Sequence, residues 1–164
     1  IYGKALGLSL DVTKNLTAYT LWAMVAGYVI GVATIPKYIR QEAALKLSAI
    51  VGLVFTTLAF ITHGYASILF VALLGLANSL MWPAIFPMAI RGLGPFTRIG
   101  AALLIMGIAG GAIVPQVYAR LKDVMSPQSA FFWSMLPCYL YILFYAVKGH
   151  LTGQPGRLAT SAAD

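Results

Sequence analysis

The stretch from Ser67 to Ile90, SILFVALLGLANSLMWPAIFPMAI, decides the fold of this chain. It is uncharged over 24 residues, and about 20 apolar residues are enough for a helix to cross a bilayer. Asn78 and Trp82 are four residues apart, so they lie on one face of that helix. Pro83 and Pro87 lack a backbone donor and are expected to kink it. Irregular backbone survives in a membrane only where protein or water covers it, so we expect this helix to line a cavity.

The composition predicts an all-α, polytopic membrane helix bundle. Hydrophobic residues make up 60% of the chain, charged residues 9%, and the mean hydropathy is +0.86. A soluble domain carries about 25% charged residues. The net charge of +7 comes from residues in short loops between apolar blocks. Positive charge in such loops sets membrane orientation, so we expect no nucleic-acid partner.

Apolar blocks divide the chain into about five transmembrane spans. The spans are predicted at about 16–35, 45–62, 67–90, 99–119 and 130–147. Together they form a helical bundle over residues 16–148. Residues 1–15 are interpreted as the outer end of a preceding helix and an extracytoplasmic loop. Residues 149–164 are predicted to be a disordered cytoplasmic tail, because they are polar and rich in glycine and proline.

Basic residues in the loops predict the orientation of these spans. Seven Lys and Arg residues fall on the side of the C-terminus and four on the opposite side, which predicts a cytoplasmic C-terminus. The N-terminus would then lie outside, although nothing at the start of the chain resembles a signal peptide. An upstream helix is the simplest explanation, so we expect a fragment that lacks its N-terminal part.

Ionisable and nucleophilic groups are scarce inside the predicted spans. Their interiors contain no Asp, Glu, Lys, Arg or His, which are the residues that mark proton and ion pathways. The sequence shows no metal-ligand cluster, G-x-S-x-G elbow or phosphate-binding glycine loop. Ser134 and Cys138 are one turn apart with no base nearby in sequence. We therefore expect no enzyme, no catalytic residue, no metal and no cofactor.

Neutral polar side chains are the remaining candidates for binding a ligand. An amide has two donors and an acceptor, which suits a hydroxyl-rich neutral molecule. An indole offers a flat apolar face and one N–H. Asn78, Trp82 and Gln116 are therefore the predicted substrate-binding residues. The alternative for Asn78 is a hydrogen bond to a neighbouring helix, and for Gln116 a role at a helix end beside Pro115.

Glycines and aromatic residues distinguish the spans from one another. Gly-x-x-x-Gly spacing, which allows two helix backbones to approach closely, occurs in the first and fourth. The predicted packing glycines are Gly27 and Gly31 in the first span, and Gly107, Gly110 and Gly111 in the fourth. The second and fifth spans are bulkier. Aromatic residues of the fifth, including Tyr139, are interpreted as facing lipid or the membrane interface.

Three motifs resemble a known transporter family. The stretches NSLMWPAIFPMAIRGLG and MGIAGGAIVPQVYARLKD, with Thr97 and Gly100 between them, resemble the tenth and eleventh helices of the fucose/glucose/galactose permeases of the major facilitator superfamily. GYVIGVATIPKYI is similar to the eighth helix. The resemblance covers essentially the whole chain, as helices eight to twelve. The chain departs from it at Gly27-Tyr28, where many relatives have Gly-Arg, and in the loop 36–46, which lacks the superfamily's Asp and Gly-Arg.

The resemblance implies the C-terminal part of a proton-coupled sugar transporter in a bacterial inner membrane. In that family the tenth helix lines the central cavity, and the eighth and eleventh meet the other half. The expected partners are a monosaccharide, a proton carried by residues of the N-terminal half, and the lipid bilayer. The glycine faces would slide against that half. One incomplete half is not expected to transport. The alternative is a non-transporting membrane scaffold or accessory subunit.

Overall fold

A computed structural model describes residues 10–35 and 38–151 of the chain. Within these ranges the structure consists of helices and contains no strand, which confirms the predicted all-α class. The seven α-helices are α1 (Leu10–Thr34), α2 (Gln41–Ile61), α3 (Gly64–Ser79), α4 (Met81–Ile90), α5 (Thr97–Met106), α6 (Gly110–Leu121) and α7 (Pro127–Val147). Short 3-10 turns cover Gly94–Phe96, Gly107–Ala109 and Gly149–Leu151.

Consecutive helices join into spans of membrane length. Helices α3 and α4 form the third span, Gly64–Ile90, of 27 residues. Helices α5 and α6 and the turn between them form the fourth span, Gly94–Leu121, of 28 residues. With α1, α2 and α7, the described part of the chain has five helices long and apolar enough to cross a bilayer. The chain is therefore a multi-pass membrane protein.

The helices extend beyond the apolar blocks that predicted them. Helix α1 already includes Leu10, the first described residue, although its candidate membrane span, Asn15–Thr34, agrees with the predicted 16–35. Helix α2 begins at Gln41 rather than at 45. Helix α7 begins at Pro127, and the hydroxyl of Ser126 accepts a hydrogen bond from the backbone N–H of Ser129. Hydropathy locates the part of a helix that lies in lipid, whereas polar first turns remain helical outside it. Residues 1–9 and 152–164 of the predicted terminal segments lie outside the described ranges.

The third span is interrupted at Leu80, between α3 and α4. Pro83 has no N–H to donate to the carbonyl of Ser79, which would be its helical acceptor. The regular pattern resumes when the N–H of Ala84 donates to the Leu80 carbonyl at 3.1 Å. Pro87 lies inside α4, which continues through it. The irregular backbone therefore falls one turn before Pro83.

Four helices, α2, α3, α4 and α7, build the core of the described bundle. Helix α2 packs between α3 and α7, and α1 packs against α3. The buried core residues come from α2, α3, α4 and α7: Leu45, Leu74, Met81, Ala84, Met88, Tyr139 and Ala146. The fourth span is peripheral, because none of the residues of α5 is buried and Tyr118 is the buried residue of α6. Most of the fourth span therefore lies at the surface of the described bundle, where α5 contacts α4 and α6 contacts α7.

Glycines permit the close contact between α1 and α3. A Cβ added at Gly27 would collide with the Ser79 side chain, and one at Gly31 would collide with the Leu80 side chain. Both glycines, predicted as packing residues, thus pack against α3 and Leu80 of the same chain, and a contact with a separate half of the protein stays a prediction. By contrast, a Cβ at any of three glycines of the fourth span would have no atom within 4 Å. Those three are Gly107, Gly110 and Gly111.

Polar contacts tie the helices together at both ends of the bundle. At one end, Glu42 pairs with Arg40 at 2.9 Å and with Arg91 at 3.7 Å, which links the start of α2 to the end of α4. At the other end, the Gln128 side chain donates to the Thr62 carbonyl at 2.7 Å. The second contact satisfies a backbone carbonyl that helix α2 leaves without an internal donor.

Candidate functional site

Asn78 lies near the middle of the third span, in the last turn of α3. Its side-chain oxygen Oδ1 accepts a hydrogen bond of 2.9 Å from the hydroxyl of Tyr139 on α7. Asn78 is nevertheless exposed. The bond to a neighbouring helix, which was the alternative role for Asn78, is therefore present. It uses one of the two lone pairs of the carbonyl oxygen and leaves the two N–H donors of the amide for another partner.

Tyr139 belongs to the core and is only 3% exposed. Its ring lies against Gly52 of α2, where an added Cβ would come within 2.9 Å of the ring atom Cζ. The interpretation of Tyr139 as a lipid-facing residue is thus wrong. Helix α7 carries apolar and aromatic residues of its own on every face. The sequence pattern alone therefore did not reveal which of its aromatic residues points into the core. Gly52 on a facing helix was the available signal, but its partner could not be read from sequence.

Trp82 follows the interruption, as the second residue of α4. Its side chain is 42% exposed, and its ring centroid lies 5.8 Å from that of Phe86, with an angle of 45° between the rings. Phe86 is one turn further along α4, so it supports the indole from one side. The remaining surface of the indole is open and available for an apolar contact.

Gln116 does not join Asn78 and Trp82. It is exposed on α6, about two helical turns from the middle of the fourth span towards Leu121. The nearby Tyr118 packs against Phe131 of α7, with ring centroids 6.4 Å apart. Gln116 therefore lies closer to a membrane face than Asn78 does. The structure brings only two of the three predicted binding residues to the same part of one span.

An open cleft of about 260 Å³ lies beside the interruption of the third span. It is lined mainly by apolar residues of α1 and α4 and by one amide: Tyr28, Gly31, Val32, Ile35, Gln41, Leu80, Pro83 and Ala84. Neither Asn78 nor Trp82 lines it. The cleft and the polar site at Asn78 are therefore separate features of the same interrupted helix.

The chemistry of the polar site is that of neutral groups. It offers amide donors from Asn78 and an aromatic face from Trp82, near the middle of a membrane span. The described residues contain no group of three or more His, Cys, Asp or Glu side chains that could hold a metal ion. Helical packing and five spans of membrane length together define a polytopic membrane protein.

Known proteins with similar sequences are sugar transporters. The chain is 36% identical over 143 residues to a glucose/galactose transporter of Brucella abortus, an alignment that covers 87% of this chain and 34% of the relative. It is 28% identical to a putative glucose/galactose transporter of Helicobacter pylori, covering 91% and 37%. It is also 28% identical to an L-fucose-proton symporter of Haemophilus influenzae, covering 90% and 35%. No family model and no solved structure matches the chain.

These relatives place the chain in the fucose/glucose/galactose permease family of the major facilitator superfamily. The resemblance found in the sequence motifs is thereby confirmed. The chain spans about a third of the length of the curated relatives that it matches. The relatives are transporters and symporters by name rather than enzymes.

Proposed function

We propose that this chain forms the C-terminal part of a proton-coupled sugar transporter that works by alternating access. The observation that carries the proposal is the interrupted third span, with exposed Asn78 and Trp82 on either side of Leu80. Many secondary transporters place their binding sites near the bilayer midplane, where discontinuous helices line a cavity. The sugar-transporting relatives support the same conclusion.

The proposed ligand is a monosaccharide of the glucose, galactose or fucose type. The Asn78 amide would hydrogen-bond to a sugar oxygen, and the open face of Trp82 would cover the C–H face of the ring. Both groups are neutral, as suits an uncharged substrate. Gln116 lies on the fourth span and nearer a membrane face than Asn78, so its proposed contact with the sugar is separate from that of Asn78 and Trp82.

Proton coupling is assigned to parts of the transporter outside this chain. The middle of each described span is free of Asp, Glu, Lys, Arg and His, and buried ionisable groups are what proton relays require. Alternating access also needs two halves that rock about a central site. We therefore expect these five spans to bind no proton and to transport nothing by themselves. The proposed location is a bacterial inner membrane, with the C-terminus in the cytoplasm.

Replacing Trp82 tests the proposed sugar site. In the full-length transporter, Trp82→Ala is expected to weaken sugar binding by about 1–3 kcal/mol, because a large apolar contact is lost. The measurement is equilibrium binding of labelled glucose, galactose and fucose to purified protein. Trp133→Ala is the matched control, because Trp133 is 57% exposed on α7 and lies in a different span. Equal affinities of the Trp82 variant and the unmodified protein for all three sugars would reject the site.

A further inference from the structure

We propose that Tyr139 is a positioning residue that makes Asn78 a hydrogen-bond donor towards the sugar. The Tyr139 hydroxyl holds the carbonyl oxygen of the Asn78 amide, so that the NH2 group is presented to the ligand. The inference rests on the proposed role of Asn78 in sugar binding. It adds a residue of α7, a helix that carries none of the predicted binding residues, to the determinants of that site.

The orientation of the amide follows from the burial of Tyr139. Its hydroxyl is the donor in the 2.9 Å hydrogen bond, and Asn78 Oδ1 is the acceptor that the described residues provide for it. A buried hydroxyl left without an acceptor costs about 1–3 kcal/mol. Inverting the amide would place an N–H group against the phenol and remove that acceptor. The amide of Asn78 is therefore held in one of its two orientations.

The Tyr139 hydroxyl, which holds the Asn78 amide, is itself fixed in place because the Tyr139 ring is confined by its neighbours. Gly52 leaves just enough space for the ring, and Tyr139 belongs to the same buried cluster as Leu74 and Met81. These two residues flank Asn78, one on α3 and the other at the start of α4. Asn78 itself lies in the last turn of α3, two residues before the interruption at Leu80. A side chain in that position gains most from an anchor on another helix.

A fixed donor has a consequence for specificity. The sugar oxygen that faces the NH2 group of Asn78 must act as a hydrogen-bond acceptor, whether or not it also carries a hydrogen. Fluorine in place of that hydroxyl keeps a weak acceptor and removes the donor, whereas deoxygenation removes both. The site should thus tolerate fluorine at one ring position better than it tolerates deoxygenation there. An amide free to rotate would accept from a hydroxyl equally well and would lose this preference.

The experiment compares variants of the full-length transporter with glucose and its monodeoxy and monofluoro analogues. For the unmodified protein, we expect one ring position at which the deoxy analogue binds about threefold more weakly than the fluoro analogue, since fluorine keeps a weak hydrogen bond that deoxygenation removes. Tyr139→Phe keeps the ring and removes the hydroxyl. It should weaken glucose binding about threefold to tenfold and abolish the difference between the two analogues. Tyr141→Phe is the matched control, since Tyr141 is 69% exposed on the same helix, and it should keep the original pattern.

Two Asn78 variants distinguish a failure of the Tyr139 positioning role from a failure of the proposed sugar site. Asn78→Asp keeps an acceptor for Tyr139 but has no N–H donor; at an alkaline pH at which its carboxyl group is ionised it has no O–H donor either, so it should lose as much affinity as Asn78→Ala. If Asn78→Asp keeps the original affinity while Asn78→Ala does not, the donor role is overturned without reference to the folding of any Tyr139 variant. If both weaken binding but Tyr139→Phe retains the preference for fluorine, the positioning role is overturned and the sugar site stands. Unchanged binding in both Asn78 variants would overturn the sugar contact itself.

Discussion

The first and fourth spans carry the same glycine spacing but meet different surroundings. On α1, Gly27 and Gly31 face α3 so closely that an added Cβ would overlap its side chains. On the fourth span, a Cβ at Gly107 or Gly111 would enter open space. A Gly-x-x-x-Gly pattern thus shows that a helix can be approached closely. It does not show which partner makes the approach, or whether that partner belongs to the same chain.

The largest loss of stability is expected from a substitution at Gly75 of α3, a residue that faces α1. A Cβ there would collide with the backbone oxygen of Thr20, and a backbone atom yields less readily than a side chain. We expect Gly75→Ala to destabilise the full-length protein by about 2–3 kcal/mol through overpacking. Thermal unfolding in detergent measures the effect. A melting temperature equal to that of the unmodified protein would show that α1 and α3 are less closely packed than described.

A smaller loss of stability is expected from a substitution at Gly27, because the atom nearest to an added Cβ there belongs to a side chain. Gly27→Ala would overlap the hydroxyl of Ser79, which donates to the Leu76 carbonyl at 2.7 Å. We expect a loss of about 1–2 kcal/mol in stability. Ser79→Ala removes the overlapping hydroxyl, so the double variant should be about 1 kcal/mol more stable than the sum of the two single changes predicts. Strict additivity in this double-mutant cycle would contradict the contact.

The smallest effect on stability is expected in the fourth span. Gly107→Ala and Gly111→Ala meet no atom within 4 Å in the described chain, so their free energies of unfolding should change by no more than about 0.5 kcal/mol, as is typical of surface changes. If this face contacts the other half of the transporter, as we propose, the same variants should slow sugar uptake in vesicles. A loss of stability as large as that of Gly75→Ala would show that the glycines of the fourth span are packed as closely as those of α1.

Much of the architecture could be predicted from local features of the sequence. Long uncharged blocks such as 67–90 predict helices that span a membrane, because lipid offers backbone groups no alternative hydrogen-bond partners. The interruption of the third span, observed at Leu80, lies beside a proline whose missing donor is a local covalent property. Helix ends were less accurate, since α2 begins at Gln41 in a polar turn that hydropathy excludes. Family membership was also visible, in short motifs around that same span.

Only the tertiary structure decided which side chains meet across helices. Every surface of a membrane helix is apolar, so periodicity did not distinguish the buried Tyr139 from its exposed neighbour Tyr141. For the same reason, the sequence did not pair Gly52 with that ring or Gly27 with Ser79. It determined the number of spans, their chemistry and the candidate residues Asn78 and Trp82. The hydrogen bond between Tyr139 and Asn78 joins residues 61 positions apart, and only packing of the whole bundle brings them together.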